Sequence, residues 1–427
     1  MRLALLAVAV SVSACAGESP PARSSPNDVV AWENGRWFDG ARFVARTMYA
    51  SGGIFAETPP GPIARKVDLR GGWVVPPFGD AHHHGIDAER GLDAKIGAFL
   101  SAGIFYVKNP NVIPDLLTPA VRAKINRRDS IDVAFSNGGL TSTGGHPAPL
   151  HDMLAKRGVF AGMTPADMED HAYFFIDKDA DLDAKWPRVL AGKPDFIKTF
   201  VLFANGQPTP PDYPPAFLKG LDPRMLPPIV ARAHAAGLRV SAHVDTALDF
   251  RVAVDAGVDE INHMPFFLGL AFCREHATSC LVDAETAKLA ASRGIVVMTT
   301  MAPHGAPPKP PTEEALAAER AQQHANFETL RAAGVPIAIG VDGISGEEPF
   351  LTAAYEAKFL HDGGFADNLA LLKAWSETTA RTIFPARRIG RLASGYEASF
   401  LVLDGDPIAD FANVGRIRMK VKQGQEL

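Results

Sequence analysis

From about residue 80 to residue 342 the chain alternates short β-type runs with longer helical stretches, and no other feature restricts its folding as much. The runs are VPPFGDAH, GIFYVKN from Gly103, DVAFSNG from Asp132, DFIKTFV from Asp195, RVSAHV from Arg239, EINHM from Glu260, IVVMTT from Ile295 and PIAIGVD from Pro336. Such alternation marks a parallel sheet with crossover helices, and eight units predict a (β/α)8 TIM barrel over residues 76–388. Helices are expected at 223–236, 247–256, 284–293 and 312–333, among others. The glycines after Ala102, Ala236, Ala256 and Ala333 each read as a helix stop before a tight turn into the next strand.

Residues 29–75 and 389–427 instead alternate apolar and polar positions between Gly, Asp and Pro, as in small antiparallel sheets. They are expected to build one small β-sandwich domain from both chain ends, interrupted by the barrel. Two Pro-rich loops, 208–215 and 303–311, follow the fourth and seventh runs. In a barrel both lie on the C-terminal face, where they read as walls of a substrate pocket or as stiff connectors.

The opening MRLALLAVAVSVSAC has one positive charge, a short apolar run and small residues before Cys15. This reads as an export signal over residues 1–15, since the apolar run falls short of the roughly 20 residues that span a bilayer. VSAC resembles a bacterial lipobox. The expectation is a periplasmic protein lipid-anchored through Cys15, on the outer membrane because Ala16 gives no acidic retention signal, with 16–28 as a Ser/Pro-rich tether. In that oxidising compartment Cys273 and Cys280 could pair, or remain as two free thiols.

DAHHHG sets His82 and His84 two apart, so both project from one side of a strand end and His83 from the other. Two imidazoles on one face can chelate a divalent ion, although a lone HxH is a weak sign. Its weight comes from Lys198, His243, His263 and Asp342, which fall at the ends of runs four, five, six and eight and would converge at one barrel mouth. Within FIKTFVLF, Lys198 is the odd member, because burying an unpaired ammonium is costly. Neutral, it could take up CO2 and present a carbamate between two cations. Otherwise it contacts a substrate carboxylate or makes a structural ion pair.

DAHHHG, DFIKTF, SAHVDT, INHMP and GVDG resemble the strand-end motifs of the amidohydrolase superfamily, and the likeness extends over nearly the whole mature chain. GRLASGYEASFLVLDGDPIADF is similar to the family's C-terminal segment. Lys198 and TGGH at 143–146 look most like the imidazolonepropionase-related and Xaa-Pro dipeptidase-like branches. Two departures stand out: Pro76-Pro77 where the family usually has PG, and VKNP at the end of the second run where VRD is common.

The resemblance implies a hydrolase of carbon–nitrogen bonds with two divalent ions, zinc by expectation, bridged by carbamylated Lys198. His82, His84 and Asp342 would hold one ion, and His243 and His263 the other. The ions would make a water acidic and polarise the scissile carbonyl, while Asp342 takes the proton and passes it to the leaving amine. His146 would donate to a substrate carbonyl or carboxylate, or be a loop histidine held by backbone. Dipeptide-like and cyclic amides are the expected substrates. Lactones, esters and phosphotriesters suit the same site, and a non-catalytic lipid-anchored binder of metal or solute is the reading from another class.

A net charge of −5 over 427 residues, with no long basic run, gives no footprint for nucleic acid. A small-molecule substrate and a membrane reached through the lipid are therefore the expected partners. The sequence contains no Walker loop, dinucleotide fingerprint, GxSxG elbow or HExxH helix.

Overall fold

The computed structural model describes residues 28–160, 162–213, 215–303, 311–344 and 349–427. Residues 1–27, with the expected export signal, Cys15 and nearly all of the tether, lie outside these, as does most of the second Pro-rich loop. Five strands open the chain: β1 (Val29–Phe38), β2 (Phe43–Ser51), β3 (Ile54–Ala56), β4 (Ile63–Asp68) and β5 (Trp73–Val75). Ten follow: β6 (Phe78–Asp80), β7 (Ile104–Asn109), β8 (Asp132–Phe135), β9 (Gly139–Thr141), β10 (Tyr173–Phe175), β11 (Phe196–Val201), β12 (Arg239–Val244), β13 (Glu260–Asn262), β14 (Val296–Met298) and β15 (Ile337–Ala338). The last are β16 (Phe400–Leu403), β17 (Ile417–Lys422) and β18 (Gln425–Glu426).

The first five and last three strands form one eight-stranded sheet, with β16 antiparallel to β5 joining the two chain ends. The sheet is mixed, because β1 pairs in parallel with both β4 and β5. The expected alternation into antiparallel partners therefore holds only in part. Its core is aromatic: Phe400 lies 4.9 Å from Trp32 and 5.2 Å from Trp37, ring centre to ring centre.

The ten middle strands are parallel, in the order β6-β7-β8 in one sheet and β10-β9-β11-β12-β13-β14-β15 in the other. Every residue of β7 and β11 is buried, as in parallel strands covered on both sides. All eight sequence-predicted runs contain a strand. The short strands β9 and β10 were not foreseen, since GLT and YFF are too brief to show a period.

At their C-terminal ends the first and last parallel strands meet. Ala81 N donates to Ile339 O (2.9 Å), Asp342 N to His82 O (2.7 Å) and His84 N to Gly343 O (2.7 Å). Across the other edge, Asp195 N donates to Phe135 O (2.8 Å) and Asp195 Oδ2 accepts from Phe135 N (2.8 Å).

The helices obey their end signals. Thr246 caps Ala247–Ala256, accepting from Asp249 N, and Gly257 ends it at φ 77°. Thr312 and Gly334 bound Glu313–Ala333 in the same way. The helix expected from residue 223 starts later, at Leu226, because Asp222 first caps a 3-10 turn over Pro223–Met225. Cys273 and Cys280 are joined as a disulfide within the excursion that follows β13.

Candidate metal centre

The site grows from the meeting of β6 with β15. Asp80, the first residue of DAHHHG, is fully buried and accepts from Val341 N (3.2 Å), Ala353 N (2.9 Å) and His82 N (3.4 Å), which ties the histidine turn to the last strand. Close approach there depends on glycine. A Cβ on Gly340 would stand 2.7 Å from His82 N, and one on Gly343 2.6 Å from His83 Nε2.

Three donor atoms converge as a result. His82 Nε2 and His84 Nε2 lie 3.2 Å apart, and each is 3.3 Å from Asp342 Oδ1. Electron pairs crowded this closely suit a cation held between them. His83 points elsewhere, its Nε2 against Leu351 O at 3.0 Å. His263 Nδ1 is 4.0 Å from Asp342 Oδ2, and the His263 ring lies 4.8 Å from that of His82 and 4.4 Å from that of His243.

Each of three histidines has one ring nitrogen engaged. His82 Nδ1 meets Asn262 Oδ1 at 2.8 Å, and Asn262 is oriented by donating from Nδ2 to Ser241 Oγ at 3.0 Å. His243 Nε2 donates to Asp245 Oδ1 at 2.8 Å, and His263 Nδ1 pairs with Thr300 Oγ1 at 2.7 Å. The opposite nitrogen remains for a metal, and partners of this kind fix which nitrogen it is. Sequence reasoning missed Asn262, Asp245 and Thr300. Asp245 had a visible signal, since it stands two beyond His243 and shares its side of the strand.

The electrostatics favour ligands over ions. Burial pushes His82 down to about 3 and holds His243 and His263 well below the ordinary histidine range, so these rings are neutral at pH 7. For Asp342, burial works to raise the carboxyl, but its position among His82, His84 and His263, with hydrogen bonds from the first two, prevails and holds it well below the carboxylate range. It is ionised.

Lys198 is 1% exposed, and its Nζ has no hydrogen-bond partner among the described residues. Burial brings it down to about 7, against the pull of Asp342. Another buried lysine shows the contrast. Lys108 on β7 is ion-paired with Glu260, which Arg239 also reaches at 2.8 Å. The structure thus pairs one interior lysine with a carboxylate and leaves the other without a hydrogen-bond partner, its Nζ 5.1 Å from the centre of the Phe200 ring.

Aromatic rings flank the histidines. His146 stacks on Phe217 with centroids 4.7 Å apart and lies 5.3 Å from the His243 ring, while Phe266 is 5.3 Å from His263. His263, Thr300 and Asp342 all adopt left-handed backbone conformations, at φ 76°, 47° and 59°. Each costs a non-glycine residue on the order of 1–3 kcal/mol, and such residues cluster at functional sites.

Over residues 197–426, more than half of the chain and including Lys198, His243, His263 and Asp342, the sequence matches the amidohydrolase family. This chain belongs to the amidohydrolase family. It is a metal-dependent hydrolase acting on carbon–nitrogen bonds. None of the curated proteins compared matches it. Among solved structures, this amidohydrolase resembles a prolidase complexed with N-methylphosphonate-L-proline (20% identity, 93% of this chain and 99% of that one, TM-score 0.68). It also resembles the ochratoxinase of A. niger (18%, 94% and 96%, TM-score 0.69) and a Xaa-Pro dipeptidase with bound methionine (19%, 94% and 100%, TM-score 0.67). At such identities the likeness concerns the fold. The His82–His84–Asp342 group lies partly outside the matched segment and is the described cluster that could hold a metal.

Proposed function

We propose that this amidohydrolase cleaves amide bonds of small dipeptide-like or cyclic amide substrates at a two-metal site. His82, His84 and Asp342 would hold one divalent ion, zinc in our reading, and His243 and His263 a second, with Lys198 as a carbamate between them. The observation that carries this is the convergence of the His82, His84 and Asp342 donor atoms beside a buried, unpartnered lysine amine. A neutral amine is the form that reacts with CO2, and the resulting anion would balance two cations. When bound, the ions supply Lewis acidity and an acidified water.

The chain's own groups do the rest. Asp342 accepts a proton and delivers it to the leaving amine, His146 orients the substrate carbonyl or carboxylate, and the Phe217 and Phe266 rings exclude water from one side.

The same reading closes the two parallel sheets into one (β/α)8 barrel over residues 76–388. The contacts of Ala81 with Ile339 and of Asp195 with Phe135 support closure on both edges. Residues 29–75 and 389–427 would form the companion β-sandwich domain. Residues 1–15 would direct export, 16–28 serve as tether, and Cys15 carry the lipid that anchors the protein to the periplasmic face of the outer membrane. Labelled palmitate entering the wild type but not Cys15→Ala is the result expected of that anchor.

To test the function, purified protein is assayed for metal and for turnover of N-acyl amino acids, dipeptides, cyclic amides and lactones. Amide turnover that is lost on chelation and restored by zinc supports the proposal. Bound metal without turnover supports the binder instead.

A further inference from the structure

The loop that leaves β11 is fastened to the end of β12 and the first turn of its following helix by two carboxylates four residues apart, Asp245 and Asp249. Asp249 holds the root of the loop. It accepts from Phe203 N (3.0 Å), Ala204 N (2.9 Å) and Gln207 Nε2 (2.7 Å), while Gln207 Oε1 accepts from Thr246 Oγ1 at 2.9 Å. Asp245 reaches further along the loop and also inward. Its Oδ2 accepts from the Tyr213 hydroxyl at 3.0 Å, and its Oδ1 from His243 Nε2 at 2.8 Å. Asp245 is fully buried, so each oxygen needs a donor, and the structure supplies one apiece. Tyr213 is steadied by the Phe203 ring, edge-on at 5.1 Å, and Phe203 itself takes a left-handed backbone (φ 44°) where the loop turns.

We propose that Tyr213 is a positioning residue for the metal centre: through Asp245 it sets the orientation of the His243 ring, so that the first Pro-rich loop governs how firmly the second metal is held. This rests on His243 being a ligand, as in the function proposed above. The reasoning follows the hydrogen bonds. A carboxylate with one donor can rotate about its Cβ–Cγ bond, whereas one gripped on both oxygens cannot. The His243 ring, fixed at Nε2 by that carboxylate, then presents Nδ1 at one angle. Loss of the Tyr213 hydroxyl frees Asp245 and, with it, the ring. A bystander tyrosine at the pocket rim would contribute apolar surface and nothing to metal retention.

The test uses zinc-loaded full-length protein and reads the rate of zinc release to a chromogenic chelator, with Tyr213→Phe as the main variant because it keeps the ring on Phe203. Removing an outer partner of a metal-bound histidine weakens metal binding about 10- to 100-fold, so Asp245→Ala should release its weaker-held zinc that much faster. Tyr213→Phe, one bond further out, should do so roughly three- to ten-fold faster while still reaching wild-type zinc content at saturation. Thermal melts of the metal-free proteins should coincide for wild type and Tyr213→Phe. Zinc release from Tyr213→Phe at the wild-type rate overturns the positioning role and leaves the metal site standing. A wild type that binds no divalent ion overturns both. If Asp245→Ala does not fold, Tyr213→Phe decides alone.

Discussion

Asp342 carries two assignments, ligand and proton carrier, and one substitution separates them. Asn keeps an oxygen beside His82 and His84 but is no base, so Asp342→Asn should retain most of its metal while kcat falls by roughly 10²- to 10⁴-fold. Zinc content and kcat measured on the same sample decide: activity that tracks occupancy and returns with added zinc makes Asp342 a ligand only. At this scale the proposed ligands were legible because each is a chemically costly residue at the end of an apolar run, Lys198 above all. Their supports were not. Asn262 and Thr300 are ordinary polar residues whose importance comes from distances of 2.8 Å and 2.7 Å to ring nitrogens, set by strands far apart in sequence.

The meeting of β6 and β15 is the element on which the site depends, and Gly340 tests it. An added methyl would press on the backbone nitrogen of His82, which belongs to a turn already pinned by Asp80 and cannot easily yield. Gly340→Ala should therefore fold with reduced stability and take up less metal than the wild type at equal free zinc, a comparison made by equilibrium dialysis. Unchanged uptake would show that the turn has slack. Strands and helices were legible from alternation and from capping residues such as Thr246 and Thr312. The unforeseen β9 and β10 are three residues each and pair in parallel with distant partners, which no local pattern announces. The mixed sheet at the chain ends escaped for the same reason: whether β4 and β5 run parallel or antiparallel to β1 is decided by the connections, not by the period of the side chains.

For the whole molecule, the buried histidines make stability depend on pH. His151, packed between Phe160 and Tyr173, is pushed down by burial to about 3 from an ordinary 6.5. Such a group is neutral when folded and protonates when unfolded, so its contribution is full above about 6.5 and is lost as pH falls toward 3, by about 1.4 kcal/mol per pH unit. Urea unfolding at pH 7.5 and pH 5 should show a larger loss for wild type than for His151→Leu; equal losses would place the acid sensitivity elsewhere. The central claim is that strand ends drawn from the whole chain assemble one two-metal hydrolytic centre bridged through Lys198. It is tested most directly by counting divalent ions in wild type and Lys198→Ala, saturated with zinc in bicarbonate buffer and freed of excess. The account predicts about two ions per wild-type chain, and one or fewer in Lys198→Ala with partial recovery in a short carboxylic acid; a Lys198→Ala protein that keeps the wild-type count and turns over amides at the wild-type rate would contradict it.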